Sequence, residues 1–216
     1  MARWSELDAW DGPWIDVFVL MWEAYVAGTI PVGAVLTDET GRVAARGRNR
    51  IFDEPADGEL VGSRLAHAEV NALLALSPER TYEDWTLWSA LEPCHLCLSA
   101  AFTARVGHVS FACSDAYGGA VGRLLPSRDH AAHPLRIDGP LEGVPGVLPE
   151  LLLIAHYLWR RPEGDVVRFY AERRPNLIEA AKELPAPTDG AGLPEVYAAV
   201  RARGLEPPRS VSPTGT

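Results

Sequence analysis

Two short motifs limit what this 216-residue chain can become: His67-Ala68-Glu69 and, some two dozen residues later, Pro93-Cys94-His95-Leu96-Cys97. The surrounding pattern places each at the start of a helix. His67 to Leu76 is rich in Ala and Leu and is closed by Ser77-Pro78, while Pro93 opens a helix expected to end near Gly107. A proline suits the first turn, where its missing N–H would have had no partner. Cys94 and Cys97 are three residues apart, so on a helix they share a face and can bind one ion. The partial positive charge at a helix N-terminus favours thiolate over thiol. With His67 they make three ligands, and zinc is the ion that this donor set suits. A structural zinc takes four protein ligands, whereas a catalytic one keeps a position for water and lowers its pKa towards ~7. Cys113 lies across a helix and a strand, and His95 points off the cysteine face, so no fourth ligand stands out. Glu69 is placed to take the water proton and hand it on to the reacting group.

The rest of the chain supplies a frame for that site. Residues 13–28 read as a helix, with Pro13 in its first turn and Gly28 at its stop. Segments 31–38 and 43–48 read as a hairpin around Glu39-Thr40-Gly41, followed by a polar, acidic loop over 50–64. Further strands are expected at 86–90, 108–112 and about 134–138, and an apolar helix at about 148–159. Strands alternating with helices predict an α/β sheet flanked by helices. Beyond Arg160 the segments 164–174, 176–184 and 193–203 are short, charged and helical in pattern. The expected division is therefore a domain over 1–160, a helical C-terminal extension over 161–205, and a tail over 206–216 that has no means of burying itself.

Composition removes several alternatives. About half the residues are apolar, enough for a sizeable core. No apolar run reaches the ~18 residues of a membrane span. The first residues put acids where a signal peptide carries a basic and then an apolar stretch, so the expectation is a soluble, cytoplasmic protein. Three cysteines, two of them in Cys-x-x-Cys, argue against a disulfide framework. The net charge of -9 shifts the balance away from nucleic acid, whose phosphates draw a basic surface.

The pattern His-x-Glu with Pro-Cys-x-x-Cys is a known signature of zinc deaminases. Ile30-Pro31-Val32-Gly33-Ala34-Val35, Gly47-Arg48-Asn49-Arg50, Leu91-Glu92-Pro93-Cys94 and Ser114-Asp115-Ala116 match further. From about residue 13 to 160 the chain resembles the tRNA adenosine deaminase and guanine deaminase branch of the cytidine deaminase superfamily. The resemblance implies a three-layer α/β/α fold with a five-stranded mixed sheet, and a homodimer. It implies His67, Cys94 and Cys97 as zinc ligands and Glu69 as proton shuttle. Asn49, the backbone at Ala68, Glu92 and Pro93 would contact the substrate. The chain departs from the family in a longer loop between Asn49 and His67, in His-Leu between the cysteines, and in its last fifty-odd residues.

Simpler roles compete for individual residues. The cysteines could be a redox pair, Glu69 a solvated helix residue and Asn49 a turn-former. His95 reads as a surface histidine rather than a pocket residue. His130 and His133 read as exposed rather than metal-binding, and Cys113 as a small buried hydrophobe. Tyr157 and Trp159 read as core rather than as a cover for the substrate. The cluster Arg160, Arg161, Arg168, Arg173 and Arg174 reads as solvated or dimer-facing rather than phosphate-binding. The leading expectation is hydrolytic deamination of a free nucleobase or nucleoside, a purine such as guanine or an adenine compound. The alternatives are a tRNA adenosine deaminase and a non-catalytic deaminase-like binding module. Besides the net charge, the acidic 52–59 loop speaks against tRNA.

Overall fold

The computed structural model describes residues 12–123 and 132–205. The expectations for the 206–216 tail and for His130 lie outside the described residues. Helix α1 (Trp14–Val26) buries Val17, Phe18, Met21, Ala24 and Tyr25, a single stripe at helical spacing. Gly28, at φ 74, releases the chain into the first strand. Strands β1 (Gly33–Thr37) and β2 (Val43–Arg48) form the hairpin. The Asp38 carboxylate fixes its turn by accepting the backbone N–H of Thr40 and of Arg42 at 2.9 and 3.0 Å. Helix α2 (Ala68–Leu73), strand β3 (Tyr82–Leu91), helix α3 (His95–Thr103) and strand β4 (Val106–Cys113) follow. Strand β5 (Arg136–Asp138) closes the sheet. Helices α4 (Leu148–Arg160), α5 (Asp165–Arg173), α6 (Pro175–Lys182) and α7 (Leu193–Ala202) complete the described chain. None of the described helices is long and apolar enough to cross a membrane.

The five strands lie in the order β2-β1-β3-β4-β5, antiparallel on the β1 side of β3 and parallel beyond it. The parallel step from β3 to β4 requires a crossover, which α3 supplies. Alternation along β1 divides the core: Val35 joins α1, α4 and the C-terminal helices, whereas Ala34 and Leu36 join α2 and the other sheet face. The result is a three-layer α/β/α arrangement around a mixed sheet. Val166, Tyr170, Leu177, Ile178, Val196 and Val200 of the last three helices share a cluster with Val17, Phe18 and Met21.

Two glycines set how closely the layers approach. A Cβ on Gly33 would sit 2.3 Å from the Val17 carbonyl oxygen of α1, and one on Gly47 would sit 2.2 Å from that of Ala68 in α2. Any side chain there would push a helix off the sheet.

Several boundaries differ from the sequence reading. Helix α2 stops at Leu73, not Leu76, because the chain tightens into three-residue turns, Leu76 N–H donating to Leu73 at 3.0 Å. Strand β3 begins at Tyr82 rather than at residue 86, with Glu83 and Asp84 facing solvent. Arg105 adopts φ 59, the left-handed conformation that glycine usually supplies at a helix end. This stops α3 at Thr103 and lets β4 start at Val106.

Replacing Gly47 by Ala should destabilise the protein by about 1–3 kcal/mol, the usual cost of overpacking. Gly192→Ala, whose added Cβ meets only Pro194 at 3.5 Å, should cost less, about 0.5–1 kcal/mol for a poorer N-cap of α7. Denaturant midpoints of the two variants check this, and equal midpoints would contradict the close approach of α2.

Candidate metal centre and base pocket

The site forms beyond the carboxyl ends of β3 and β4, the usual place for a ligand in an open α/β sheet. His67 is the N-cap of α2 and Cys94 the N-cap of α3, both in extended conformation (ψ 152 and 175). The two helix starts meet, and Cys97 follows one turn into α3. His67 Nδ1 lies 3.6 Å from Cys94 Sγ and 3.4 Å from Cys97 Sγ, and the sulfurs are 3.6 Å apart. A tetrahedral zinc with Zn–S of ~2.3 Å and Zn–N of ~2.0–2.1 Å needs edges of about 3.8 Å between sulfurs and about 3.6 Å between sulfur and nitrogen. The triangle therefore fits the ion. Among the described residues, no fourth His, Cys, Asp or Glu joins these three.

The three ligands are tightly coupled. The hydrogen bond shared with Cys97 pulls Cys94 down to about 4, with His67 helping. Cys97 is correspondingly pushed up by Cys94 and by burial, and donating a hydrogen bond to Cys94 raises His67.

Glu69, one residue into α2, is 4 % exposed. Burial pushes its carboxyl up, so it holds a proton more readily than a surface acid. The hydroxyl of Ser89, buried on β3, donates to Glu69 Oε1 at 3.0 Å, and Oε2 lies 3.2 Å from Cys97 Sγ. Ser89 was not among the sequence-predicted residues; its only signal is a small polar position inside an apolar strand.

A cavity of 180 Å³ opens over the triangle, lined among others by Asn49, His67, Glu69, Glu92, Cys94 and Asp115. Asn49 is buried, and its Oδ1 accepts the Thr29 hydroxyl at 2.8 Å and the Ile51 N–H at 3.1 Å. The side-chain amide is then the part of Asn49 left to donate to a ligand. Glu92 accepts Asp115 N–H at 3.2 Å and Val121 N–H at 3.0 Å, so it organises the turn after β4 as well as lining the cavity. Pro93 is buried, its carbonyl accepting Ala120 N–H at 3.0 Å, and Ala68 is buried beneath Gly47; neither side chain lines the cavity.

Sequence reasoning missed several cavity residues, Gly118 and Leu153 among them. Asp115 was noticed only as part of a matching stretch. Its Oδ1 accepts the N–H groups of Tyr117 and Gly118 at 2.9 and 2.8 Å, and burial raises its carboxyl. Tyr117 and Val166 come from the turn after β4 and from α5. Tyr157, weighed as core, also lines the cavity.

The remaining candidates are placed as follows. His95 is exposed, Cys113 is fully buried, and Trp159 is half exposed. The arginine cluster is not one surface. Arg160 lies over the Phe52 ring at 3.6 Å, Arg168 pairs with Asp165, and Arg173 stacks on Phe169. Arg174 pairs at 2.5 Å with Glu150, which is fully buried. In the acidic loop, Asp53 pairs with Arg48 and Arg50, and Glu59 with Arg50. Part of the negative charge held to oppose tRNA is therefore neutralised locally.

Zinc-loaded protein should carry one ion per chain by atomic emission. Cys97→Ala and His67→Ala should lose it, whereas Glu69→Ala should retain it, since the acid stands beside the triangle rather than in it. Full zinc occupancy in Cys97→Ala would contradict this ligand set.

Residues 16–113 match the cytidine and deoxycytidylate deaminase zinc-binding region. The tRNA-specific adenosine deaminase of Bacillus subtilis is 35% identical over 127 residues, covering 57% of this chain and 71% of that protein. A probable cytosine deaminase of Schizosaccharomyces pombe is 28% identical over 134 residues, covering 56% and 78%. The tRNA(Ile)-lysidine synthase of Deinococcus radiodurans is 34% identical over 110 residues, covering 50% of this chain and only 18% of that longer protein. The matched region holds the whole metal triangle and Glu69, and with these relatives it places the chain in the cytidine deaminase superfamily.

Proposed function

We propose that the protein hydrolytically deaminates a free nucleobase or nucleoside, a purine such as guanine or an adenine compound, with release of ammonia. The observation that carries this reading is the pairing of a three-ligand metal triangle with a buried carboxyl in one small cavity. When bound, zinc supplies a Lewis acid that makes water nucleophilic at neutral pH. Ser89 fixes Glu69 Oε1, which leaves Oε2, on the metal side, to exchange protons. Burial raises Glu69, so it can keep the proton long enough to deliver it to a ring nitrogen and then to the leaving amine. Asn49 offers a donor and Asp115 an acceptor to the base edge, between apolar walls that include Ile30, Val32, Leu91 and Leu153. The cavity falls below the ~300–1,000 Å³ of drug-sized pockets, which suits a planar base.

A non-catalytic module fits the site less well, since a purely structural zinc has no need of a buried acid beside it. Deamination of a flipped-out base in tRNA is the second reading, favoured by the similarity to the tRNA-specific adenosine deaminase of Bacillus subtilis. The net charge of -9 opposes it, though the ion-paired loop opposes it less than the bare sequence suggests. The exposed Leu74 and Leu96, beside an apolar groove between α2 and α3, support the expected homodimer.

Ammonia release from bases, nucleosides and tRNA decides among these. Turnover of a free compound should fall by about 10²–10⁴-fold in Glu69→Ala, the usual contribution of a positioned acid–base group. Release from tRNA alone, with binding that weakens steeply in salt, would overturn the free-base reading.

A further inference from the structure

We infer that Val166, on the C-terminal extension, is a specificity-determining wall of the base cavity, selecting a free base over one carrying a sugar. This rests on the deaminase reading above and narrows its substrate class. Most of the cavity is built by the segments just before β1 and after β2, the start of α2, the end of β3 and the turns after β3 and β4, and its lining is completed by Leu153 and Tyr157 of α4 and Val166 of α5. Val166 is only 8 % exposed, so its methyl groups face inward.

The position of Val166 is fixed from several directions. Val166, Phe169 and Tyr170 are three and four residues apart and therefore share one face of α5. Phe169 meets the ring of Tyr117 edge-on, at 5.4 Å between centroids, and Tyr117 lines the same cavity. Tyr170 is fully buried in the core. Just past α5, Arg174 reaches the buried Glu150 at 2.5 Å. Sliding α5 would separate that pair and leave the buried Glu150 without its partner. The wall is thus held in register by a tether that cannot yield cheaply.

A free base fits within 180 Å³ without disturbing this wall. A ribosyl group on the same base asks for more room than this cavity holds, so it must either project through the opening or displace lining side chains, of which Val166 is one. A wall of this kind discriminates by size, and a methyl or two in an apolar pocket is worth roughly 10–200-fold.

The test uses full-length, zinc-loaded Glu69→Ala protein, so that binding is read without turnover. Equilibrium dialysis would compare adenine, guanine, adenosine and guanosine in this protein and with Val166→Ala or Val166→Phe added. Val166→Ala should reduce the preference for base over nucleoside by roughly tenfold. Val166→Phe should weaken both bases by roughly tenfold or more while zinc content stays at one per chain. Unchanged affinity ratios in Val166→Ala, or bases bound as tightly in Val166→Phe, would overturn the inference, as would failure of the parent to bind any of the four. The two readings separate cleanly. Val166-dependent binding with no ammonia release by the wild type rejects the deaminase alone. Ammonia release with no Val166 dependence rejects the wall alone.

Discussion

The meeting of two helix N-termini beyond the ends of β3 and β4 governs the arrangement of the rest of the molecule. His67 and Cys94 occupy N-cap positions, with extended backbones that turn both side chains towards one point. Helix starts carry partial positive charge, which favours the thiolates a divalent ion requires. For the starts to converge, α2 must lie directly on the sheet, and Gly47 permits this by having no side chain beneath Ala68. Gly33 plays the same part for α1 on the opposite face. The same placement carries Glu69 inward, under Ser89, where burial raises its carboxyl. Metal ligation and proton handling are therefore two consequences of one packing constraint.

The C-terminal helices add a second constraint. They cover the α1 and α4 side of the sheet, and their apolar residues belong to the same cluster as Val17 and Phe18. The buried Glu150–Arg174 pair contributes little net stability compared with apolar packing, but it tolerates no partner out of place. Burial raises Glu150 to about 7 even with Arg174 alongside, which shows how thoroughly this acid is withdrawn from water. Its value to the fold is in fixing where α5 lies, and through α5 the outer side of the cavity.

Much of the metal site was legible in the sequence because its residues are local: a three-residue motif, a five-residue motif, and a helix start at each. The period-two and helical patterns also located the strands and helices to within a few residues. What escaped was tertiary. Ser89, Val166 and Tyr157 enter the site only when β3, α5 and α4 have assembled around it, and nothing in their neighbours marks them. Asp115 was visible as part of a matching stretch, but not as a buried carboxyl held by the N–H groups of Tyr117 and Gly118. Charge was the least faithful guide. Arg174 read as surface and pairs with a buried acid, while Asp53 and Glu59 read as a repulsive loop and are ion-paired. Boundaries such as the end of α3 depended on a single left-handed residue, Arg105, which composition does not reveal.

The account stands on an ion held by three side chains, with one position left for chemistry beside Glu69. X-ray absorption at the zinc edge tests this directly on the purified, zinc-loaded protein. The predicted spectrum contains two sulfur scatterers at about 2.3 Å and two lighter ones at about 2.0–2.1 Å, one of them His67 and the other exchangeable. Addition of a small anion or a base that perturbs the lighter shell would show that the position is open. A third sulfur in the shell, or a spectrum unmoved by any added ligand, would mean a closed structural centre and would contradict the account.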